Sequence, residues 1–311
     1  MNIKYKKTLI LSKGENGTVY KAKDESGNEI YAMKEFNTKN EKELKYEGIP
    51  PTALREVYLL KELNHINIER LIDVLHIPKH FTLVFEFIDK DLKKIIDEKK
   101  FKKEKLSPVE VKSYLYQLLK GTAYMHKHKI IHRNLKPGHL LITKDNILKI
   151  ADFGHARCYS LPIRNFNHNV VSASYRAPDI FLGNTDYITD IDMWSIGCIF
   201  AEMILMKPPF RTTESLMVHY IFHFLGTPTE ETYPKLEFLP LWDSEVYGFR
   251  VGLGLRDKMK DLDDVGFDLL MKFLQVDPSK RISAEEALNH PYFNDLDETT
   301  KELYINDEKG K

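Results

Sequence analysis

Residues 131–141 read Ile-His-Arg-Asn-Leu-Lys-Pro-Gly-His-Leu-Leu, and this stretch decides the fold. Three of its polar side chains are candidates for catalysis or ligand binding: Asn134, Lys136 and His139. Asp152-Phe153-Gly154 follows a little further on, directly after residues 147–150, which are predicted to form a strand. A carboxylate at a strand end, followed by glycine, suits a hard cation that bridges phosphate groups. The two segments together predict a site for a phosphorylated ligand and its metal.

A glycine-containing turn and a lysine lie upstream of these segments. Residues 12–19, Ser-Lys-Gly-Glu-Asn-Gly-Thr-Val, separate two predicted strands, and Gly14 and Gly17 let backbone amides approach phosphate oxygens. Lys34 follows on a strand with apolar neighbours. A buried lysine requires an anionic partner, and Glu56 on the next predicted helix is the obvious one. The alternative is an exposed lysine at the sheet edge.

The composition limits the classes of protein that the chain can be. It has 311 residues, of which 42% are apolar, enough for one large domain or two tightly joined lobes. Lysine plus arginine equals aspartate plus glutamate at 46 each, so the formal net charge is zero. We therefore expect no general attraction to nucleic acid or to an anionic membrane.

Cysteine usage and hydropathy predict where the protein resides. The only cysteines are Cys158 and Cys198, which is no disulfide framework and indicates a reducing compartment. The most apolar stretch, residues 193–206, is short and contains Glu202, so it is predicted to be a buried helix rather than a membrane span. We expect a cytoplasmic or nuclear protein, or one found in both places.

Hydrophobic periodicity predicts a β-rich first part and a helical second part. Two alternating runs flank the turn at residues 25–28 and predict a hairpin, and residues 81–87 predict a strand. Helical spacing predicts six helices: 53–63, 108–127, 190–206, 213–225, 264–275 and 283–289. Ser107-Pro108 is typical of a helix start, and Ser283 with Glu286 is typical of a capping box.

Taken together, these residues resemble a eukaryotic protein kinase. The likeness covers about residues 4–295. Several longer runs of sequence resemble one group within this family, the cyclin-dependent kinases. Residues 47–56, Glu-Gly-Ile-Pro-Pro-Thr-Ala-Leu-Arg-Glu, resemble the E-G-V-P-S-T-A-I-R-E helix of that family. Four further runs extend the likeness: LKELNH at 60–65, LVFEF at 83–87, DMWSIGCIFAEM at 192–203 and LGTP at 225–228.

The resemblance implies an α+β, bilobal protein-kinase fold. The N-terminal lobe would hold an antiparallel sheet and one helix, and the C-terminal lobe would be mainly helical. It implies a single domain over residues 1–296, divided into lobes at about residues 1–88 and 89–296. A polar tail at residues 297–311 would follow.

The resemblance also implies that ATP lies between the lobes. Four apolar residues would sandwich adenine: Leu11, Val19, Ala32 and Leu141. The backbone at Glu86 and Ile88 would hydrogen-bond the base edge, with Phe85 behind the ring and Asp91 at the ribose. Packing in an ordinary core would also explain the four apolar residues.

For the phosphates, the resemblance assigns a role to each charged residue. Lys34, paired with Glu56, would hold the α- and β-phosphates beside Gly14 and Gly17. Asp152 would bind Mg²⁺, and Lys136 would contact the γ-phosphate.

Residues 131–141 resemble the catalytic loop of the family, H-R-D-L-K-P-x-N, and two of its positions depart from the family pattern. Asn134 stands where the family has the aspartate that accepts the substrate proton, and an amide cannot accept a proton at neutral pH. His139 stands where an asparagine holds the second metal ion. Because Mg²⁺ prefers oxygen ligands, we expect weak binding of the second ion and any remaining activity to favour Mn²⁺. Alternatively, His139 only fills space.

Residues 164–171 map to the activation segment of the family, and they depart from the family pattern as well. The family's activating phosphothreonine maps to Asn167, whereas the arginines that gather its phosphate are present: Arg55, Arg133 and Arg157. Asp179 replaces a glutamate whose ion pair with Arg281 is therefore in doubt, because aspartate is one methylene shorter.

Two functions follow from this resemblance. The first is a pseudokinase of the cyclin-dependent type that holds ATP and binds a cyclin-like protein through the helix from Ile49 to Glu56. The second is a slow Ser/Thr kinase that transfers the γ-phosphate to Ser/Thr-Pro sites of protein substrates in cell-cycle or transcription control. Because both catalytic-loop changes affect the same step, the first is favoured.

Overall fold

The computed structural model describes residues 4–14, 17–36, 49, 51–77, 80–159, 172–297 and 301. The strands are β1 (Tyr5–Gly14), β2 (Gly17–Asp24), β3 (Ile30–Phe36), β4 (Leu71–Ile77), β5 (His80–Glu86), β6 (Lys90–Asp91), β7 (Ile130–Ile131), β8 (Leu140–Ile142), β9 (Leu148–Ile150) and β10 (Arg157–Cys158). The α-helices of the described part are α1 (Pro51–Glu62), α2 (Leu92–Phe101), α3 (Pro108–Lys127), α4 (Pro178–Phe181), α5 (Asp190–Leu205), α6 (Met217–Leu225), α7 (Ser244–Tyr247), α8 (Asp264–Phe273) and α9 (Ala284–Leu288). None of the helices in these ranges is long and apolar enough to cross a membrane.

The small lobe is one antiparallel sheet of five strands in the order β1-β2-β3-β5-β4, with α1 packed beside it. On β3, Lys34 lies between Val19 of β2 and Leu83 of β5 in the strand register. Central strands of this kind bury their inner face, and Leu83 is fully buried. The sheet therefore carries Lys34 into the space between the lobes.

Gly17 is required by strand packing as well as by any ligand. Its φ is +156°, and a side chain there would collide with the carbonyl oxygen of Glu35 on β3. Gly14 differs, because a Cβ at that position would meet only the Gly17 carbonyl oxygen at 4.0 Å. Of the two glycines, Gly14 is thus the one whose open surroundings leave room for a phosphate group.

The large lobe is built around α5, whose residues from Ile191 to Met203 are buried. Asp192 on this helix accepts hydrogen bonds from the backbone N–H groups of His132 and Arg133, both at 2.9 Å. His126 of α3 lies 3.0 Å from the same carboxylate. The central helix thereby fixes the backbone of the loop that follows β7.

The predicted elements agree with the structure in kind and differ at their ends. The observed architecture is the α+β, bilobal one. The helix predicted at 213–225 begins as a 3₁₀ turn, and its α-helical part is Met217–Leu225. The helix Leu92–Phe101 was not among the predicted segments, because its lysines interrupt the apolar spacing. Asp91 caps it by accepting a hydrogen bond from the backbone N–H of Lys94 at 2.8 Å.

The doubt about the ion pair of Asp179 was wrong. Asp179 and Arg281 form a salt bridge, and both side chains are fully buried. Arg281 also donates from Nε to the carbonyl oxygen of Gln275 at 2.8 Å, which anchors the guanidinium close to the shorter carboxylate. The long arginine side chain therefore compensates for the missing methylene of Asp179.

Both predicted helix caps are present and allow a stability test. Ser107 and Glu110 form a reciprocal capping box at the start of α3, as Ser283 and Glu286 do at α9. Removing the Ser107 hydroxyl leaves the backbone N–H of Glu110 without this acceptor, so Ser107→Ala is expected to lower the free energy of unfolding by about 1 kcal/mol. Urea unfolding measures this loss.

Ser244→Ala is the matched control for the cap. Its hydroxyl makes no hydrogen bond within the described residues, although Ser244 also lies at the start of a helix. An equal loss in Ser107→Ala and Ser244→Ala would show that capping is not the cause.

Candidate functional site

A cleft of about 710 Å³ lies between the two lobes. All sixteen candidate site residues line it: Leu11, Gly14, Gly17, Val19, Ala32, Lys34, Glu56, Phe85, Glu86, Ile88, Asp91, Asn134, Lys136, His139, Leu141 and Asp152. They come from six strands, one helix and the loops between. The structure thus brings the whole predicted set together, while the role of each residue stays a prediction.

Lys34 forms the electrostatic centre of the cleft. Its Nζ lies 2.9 Å from both carboxylate oxygens of Glu56 and 2.7 Å from Oδ1 of Asp152. Burial would lower the pKa of Lys34, but the negative charges of Glu56 and Asp152 outweigh it and raise that pKa. The alternative of an exposed edge lysine is excluded, because Lys34 is only 9% exposed.

The catalytic loop is tied to the segment that carries Asp152. The buried His132 lies with Nε2 3.0 Å from the carbonyl oxygen of Ala151, and its Nδ1 accepts a hydrogen bond from the backbone N–H of Asn134. Phe153 packs edge to face against the same ring at 5.1 Å. Asn134 and Asp152 are therefore held by one buried imidazole.

His139 contacts both Asn134 and Asp152. Its Nδ1 lies 3.0 Å from the backbone carbonyl oxygen of Asn134, and its Nε2 lies 3.2 Å from Oδ2 of Asp152. Since a carbonyl oxygen only accepts, Nδ1 is the donor, and in the neutral ring Nε2 directs a lone pair toward the carboxylate. Burial lowers the pKa of His139 to about 4, so the ring is neutral at pH 7.

This donor set suits a transition metal better than Mg²⁺. Asp152 offers one carboxylate oxygen, since Lys34 occupies the other, and His139 offers an imidazole nitrogen. Metal-bound imidazoles commonly donate their second N–H to a backbone carbonyl, as Nδ1 does here to Asn134. Among the described residues, no group of three or more histidine, cysteine or acidic side chains could hold a metal ion. Water and a ligand's phosphates would have to complete the coordination.

Metal preference is a direct test of this arrangement. Phosphotransfer by the wild-type chain is expected to be severalfold faster with Mn²⁺ than with Mg²⁺, because Mn²⁺ accepts imidazole more readily. His139→Asn supplies an oxygen in place of nitrogen and should reduce the Mn²⁺ advantage. Steady-state assays in each metal measure this, together with Mn²⁺ binding by electron paramagnetic resonance. Equal rates and equal affinities in both metals would contradict the expectation.

Lys136 and Asp91 have structural partners as well as a place in the cleft. Lys136 donates from Nζ to the hydroxyl of Ser172 at 3.3 Å. Asp91 is the N-cap of α2, so Oδ1 accepts from the backbone N–H of Lys94, while Oδ2 lies 4.0 Å from Nζ of the same lysine. Both residues line the cleft with part of their hydrogen-bonding capacity used by the protein, and their roles toward a nucleotide stay predictions.

The sequence reasoning missed several residues of the cleft. Those without an assigned role are Lys13, Glu69, Asp89, Lys94, Gly138, Ala151 and His155. Lys94 and Asp89 could have been found from their closeness to Asp91 in the chain. Glu69 carries no such signal, because it lies in a short polar segment before β4.

The predicted arginine cluster is present in the described residues. Burial and the neighbouring guanidinium groups of Arg133 and Arg55 lower the pKa of Arg157 to about 10. Arg133 donates to the carbonyl oxygen of His155 at 2.9 Å and to the hydroxyl of Tyr187 at 3.0 Å. Asn167, the position of the family's phosphothreonine, lies outside the described residues.

Comparison with known families agrees with this geometry. The sequence model for the protein kinase domain matches residues 5–293. The chain therefore belongs to the protein kinase domain family, and its fold is the bilobal protein-kinase fold. Members of this family generally bind ATP together with Mg²⁺, in a cleft between two lobes.

Proposed function

We propose that this chain is a cyclin-dependent-kinase-like protein that binds ATP and a cyclin-like partner, and whose phosphotransfer is impaired. A contrast within one cleft supports the proposal. Lys34 is paired with Glu56 and Asp152, as nucleotide binding requires, whereas the catalytic loop presents an amide at Asn134 and an imidazole at His139. The residues that would hold the nucleotide agree with the family pattern, and those that would assist phosphate transfer depart from it.

ATP binding is tested by a thermal titration. ATP at about one hundred times its dissociation constant stabilises a protein by about 2.7 kcal/mol, so the melting temperature should rise by several degrees. Lys34→Met removes the charge that would face the phosphates and is expected to abolish the rise. Lys6→Met changes an exposed lysine of the same sheet and should preserve it. No rise in the wild-type chain, in Mg²⁺, Mn²⁺ or neither, would refute ATP binding.

The proposed partner site is supported by the outer face of α1. Glu56 points inward to Lys34, while Leu54 and Tyr58 on the other side are 50% and 62% exposed. Exposed large apolar side chains on a short helix are typical of a protein contact. Leu54→Glu is expected to abolish binding of a purified cyclin, measured by calorimetry, and Lys61→Glu on the same helix is the charge control. Failure of the wild-type chain to bind any cyclin tested would refute this part.

A slow Ser/Thr kinase is the second candidate. Lys136 favours it, since this lysine lines the cleft within reach of the γ-phosphate position that the resemblance assigns. Phosphoryl transfer has a loose transition state in most analyses, so positioning alone supplies much of the catalysis. In this case Asn134 would orient the substrate hydroxyl without accepting its proton.

A further inference from the structure

Glu69 brings a carboxyl group to the back of the cleft that the proposed function does not use. The segment that carries it is clamped to β9: Ile68 bridges Ile150, and the backbone N–H of Glu69 donates to the Ile150 carbonyl oxygen at 2.9 Å. This backbone pairing fixes the residue in the lining of the cleft, to which Phe85 and Ala151 also belong.

The carboxyl of Glu69 is buried, and no partner for it lies among the described residues. The residue is 9% exposed, and its side chain makes no hydrogen bond or salt bridge within the described part of the chain. A buried polar group of this kind is costly unless a ligand or water satisfies it. Glu69 lines the cleft between the lobes, where a ligand could reach it, and it also lines a second pocket beside the end of α1.

The charges around Glu69 are unbalanced. Glu56 and Asp152 share the ammonium group of Lys34, so this cation is already engaged by two other carboxylates. Burial and the negative charge of Glu56 are the main causes that raise the pKa of Glu69 to about 8. The charges of Glu86 and Asp152 raise this pKa further, whereas the charge of Lys34 lowers it. A cation placed beside Glu69 would relieve this excess of negative charge.

We propose that Glu69 forms a cation-accepting subsite at the back of the cleft, which takes the amidine or amine group of a small ligand. This inference rests on the proposed function only in that the ligand enters the same cleft. An amidine matches a carboxylate with two parallel N–H donors, a geometry that also gives specificity. The neutral amide of the same shape lacks the charge and is the natural comparison.

The test is a pair of matched fragments. Benzamidine and benzamide are titrated by ligand-observed NMR at about pH 8.5, where most of the Glu69 carboxyl is ionised. Benzamidine is expected to bind the wild-type chain about tenfold more tightly than benzamide. The ratio should fall to about one in Glu69→Val and in Glu69→Gln, and should persist in Glu62→Gln, which alters an exposed glutamate on α1.

Each outcome decides the proposal. A wild-type ratio below about threefold, or a ratio that persists in Glu69→Val, overturns the subsite. An ADP titration of the same variants separates this result from the proposed function. If ADP binds none of them, the nucleotide proposal fails, while the benzamidine ratio still judges Glu69.

Discussion

Replacing Asn134 by Asp and His139 by Asn in one chain is expected to raise the rate of peptide phosphorylation by about 10²–10⁴-fold. The first change supplies the carboxylate that accepts a proton from the substrate hydroxyl. The second supplies an oxygen where the structure has an imidazole facing Asp152 at 3.2 Å. Both changes act on the same step, so the two single variants are not expected to add up to the double variant.

The measurement is a turnover assay on purified protein with an added cyclin, in saturating ATP and metal. Adding Lys34→Met to the double variant is the control: it removes the cation paired with Glu56 and Asp152, so the gained activity should disappear. Activity that survives this third change would come from a contaminating kinase. Wild-type turnover equal to that of the double variant would show that the chain is an ordinary working enzyme.

Replacing Glu69 by Gln is expected to remove a pH dependence of stability. The folded-state pKa of Glu69 is about 8, against an ordinary value of 4.5, so the folded chain holds one more proton than the unfolded chain between these values. The free energy of unfolding therefore falls as the pH rises through this window. Each pH unit contributes roughly 1.4 kcal/mol, or on the order of 5 kcal/mol across the window.

Urea unfolding of both chains from about pH 5.5 to about pH 8 measures this difference. The glutamine variant should gain about 3 kcal/mol of unfolding free energy relative to wild type over that range, and the difference should stop changing below about pH 3.5, where Glu69 is protonated in both states. Glu62→Gln changes an exposed glutamate and should follow the wild-type curve. Parallel curves for wild type and Glu69→Gln would show that the buried carboxyl does not titrate in this window.

The candidate site could be predicted where the type of a residue and its position next to a predicted strand or helix indicate the same role. Lys34 on a strand, Glu56 on the next helix and Asp152 after a later strand each have a recognisable local setting, and the structure joins them within 3 Å. His139 was identified as a departure, but its hydrogen bond to the Asn134 carbonyl depends on how the loop folds back on itself.

Other features could not be predicted from local pattern. Glu69 is buried because its neighbour Ile68 forms a β-bridge with Ile150. These residues are far apart in the chain, and neither hydrophobic periodicity nor secondary-structure propensity indicates their pairing. The pair of Asp179 and Arg281 was doubted for the same reason: reach depends on where the arginine is anchored, and hydrogen bonds to backbone carbonyls set that position. The sequence pattern predicts which segments form helices and strands, whereas the partner of a buried charged residue depends on distances in the folded chain.

The buried pair of Asp179 and Arg281 also constrains how the protein is made. The aspartate lies in the interior of the large lobe, and its cation is supplied by a residue 102 positions later. While a ribosome is still translating the intervening residues, the carboxylate has no counter-ion from Arg281 and cannot be enclosed as an anion without a large desolvation cost. We therefore expect the large lobe to close only after Arg281 has left the exit tunnel.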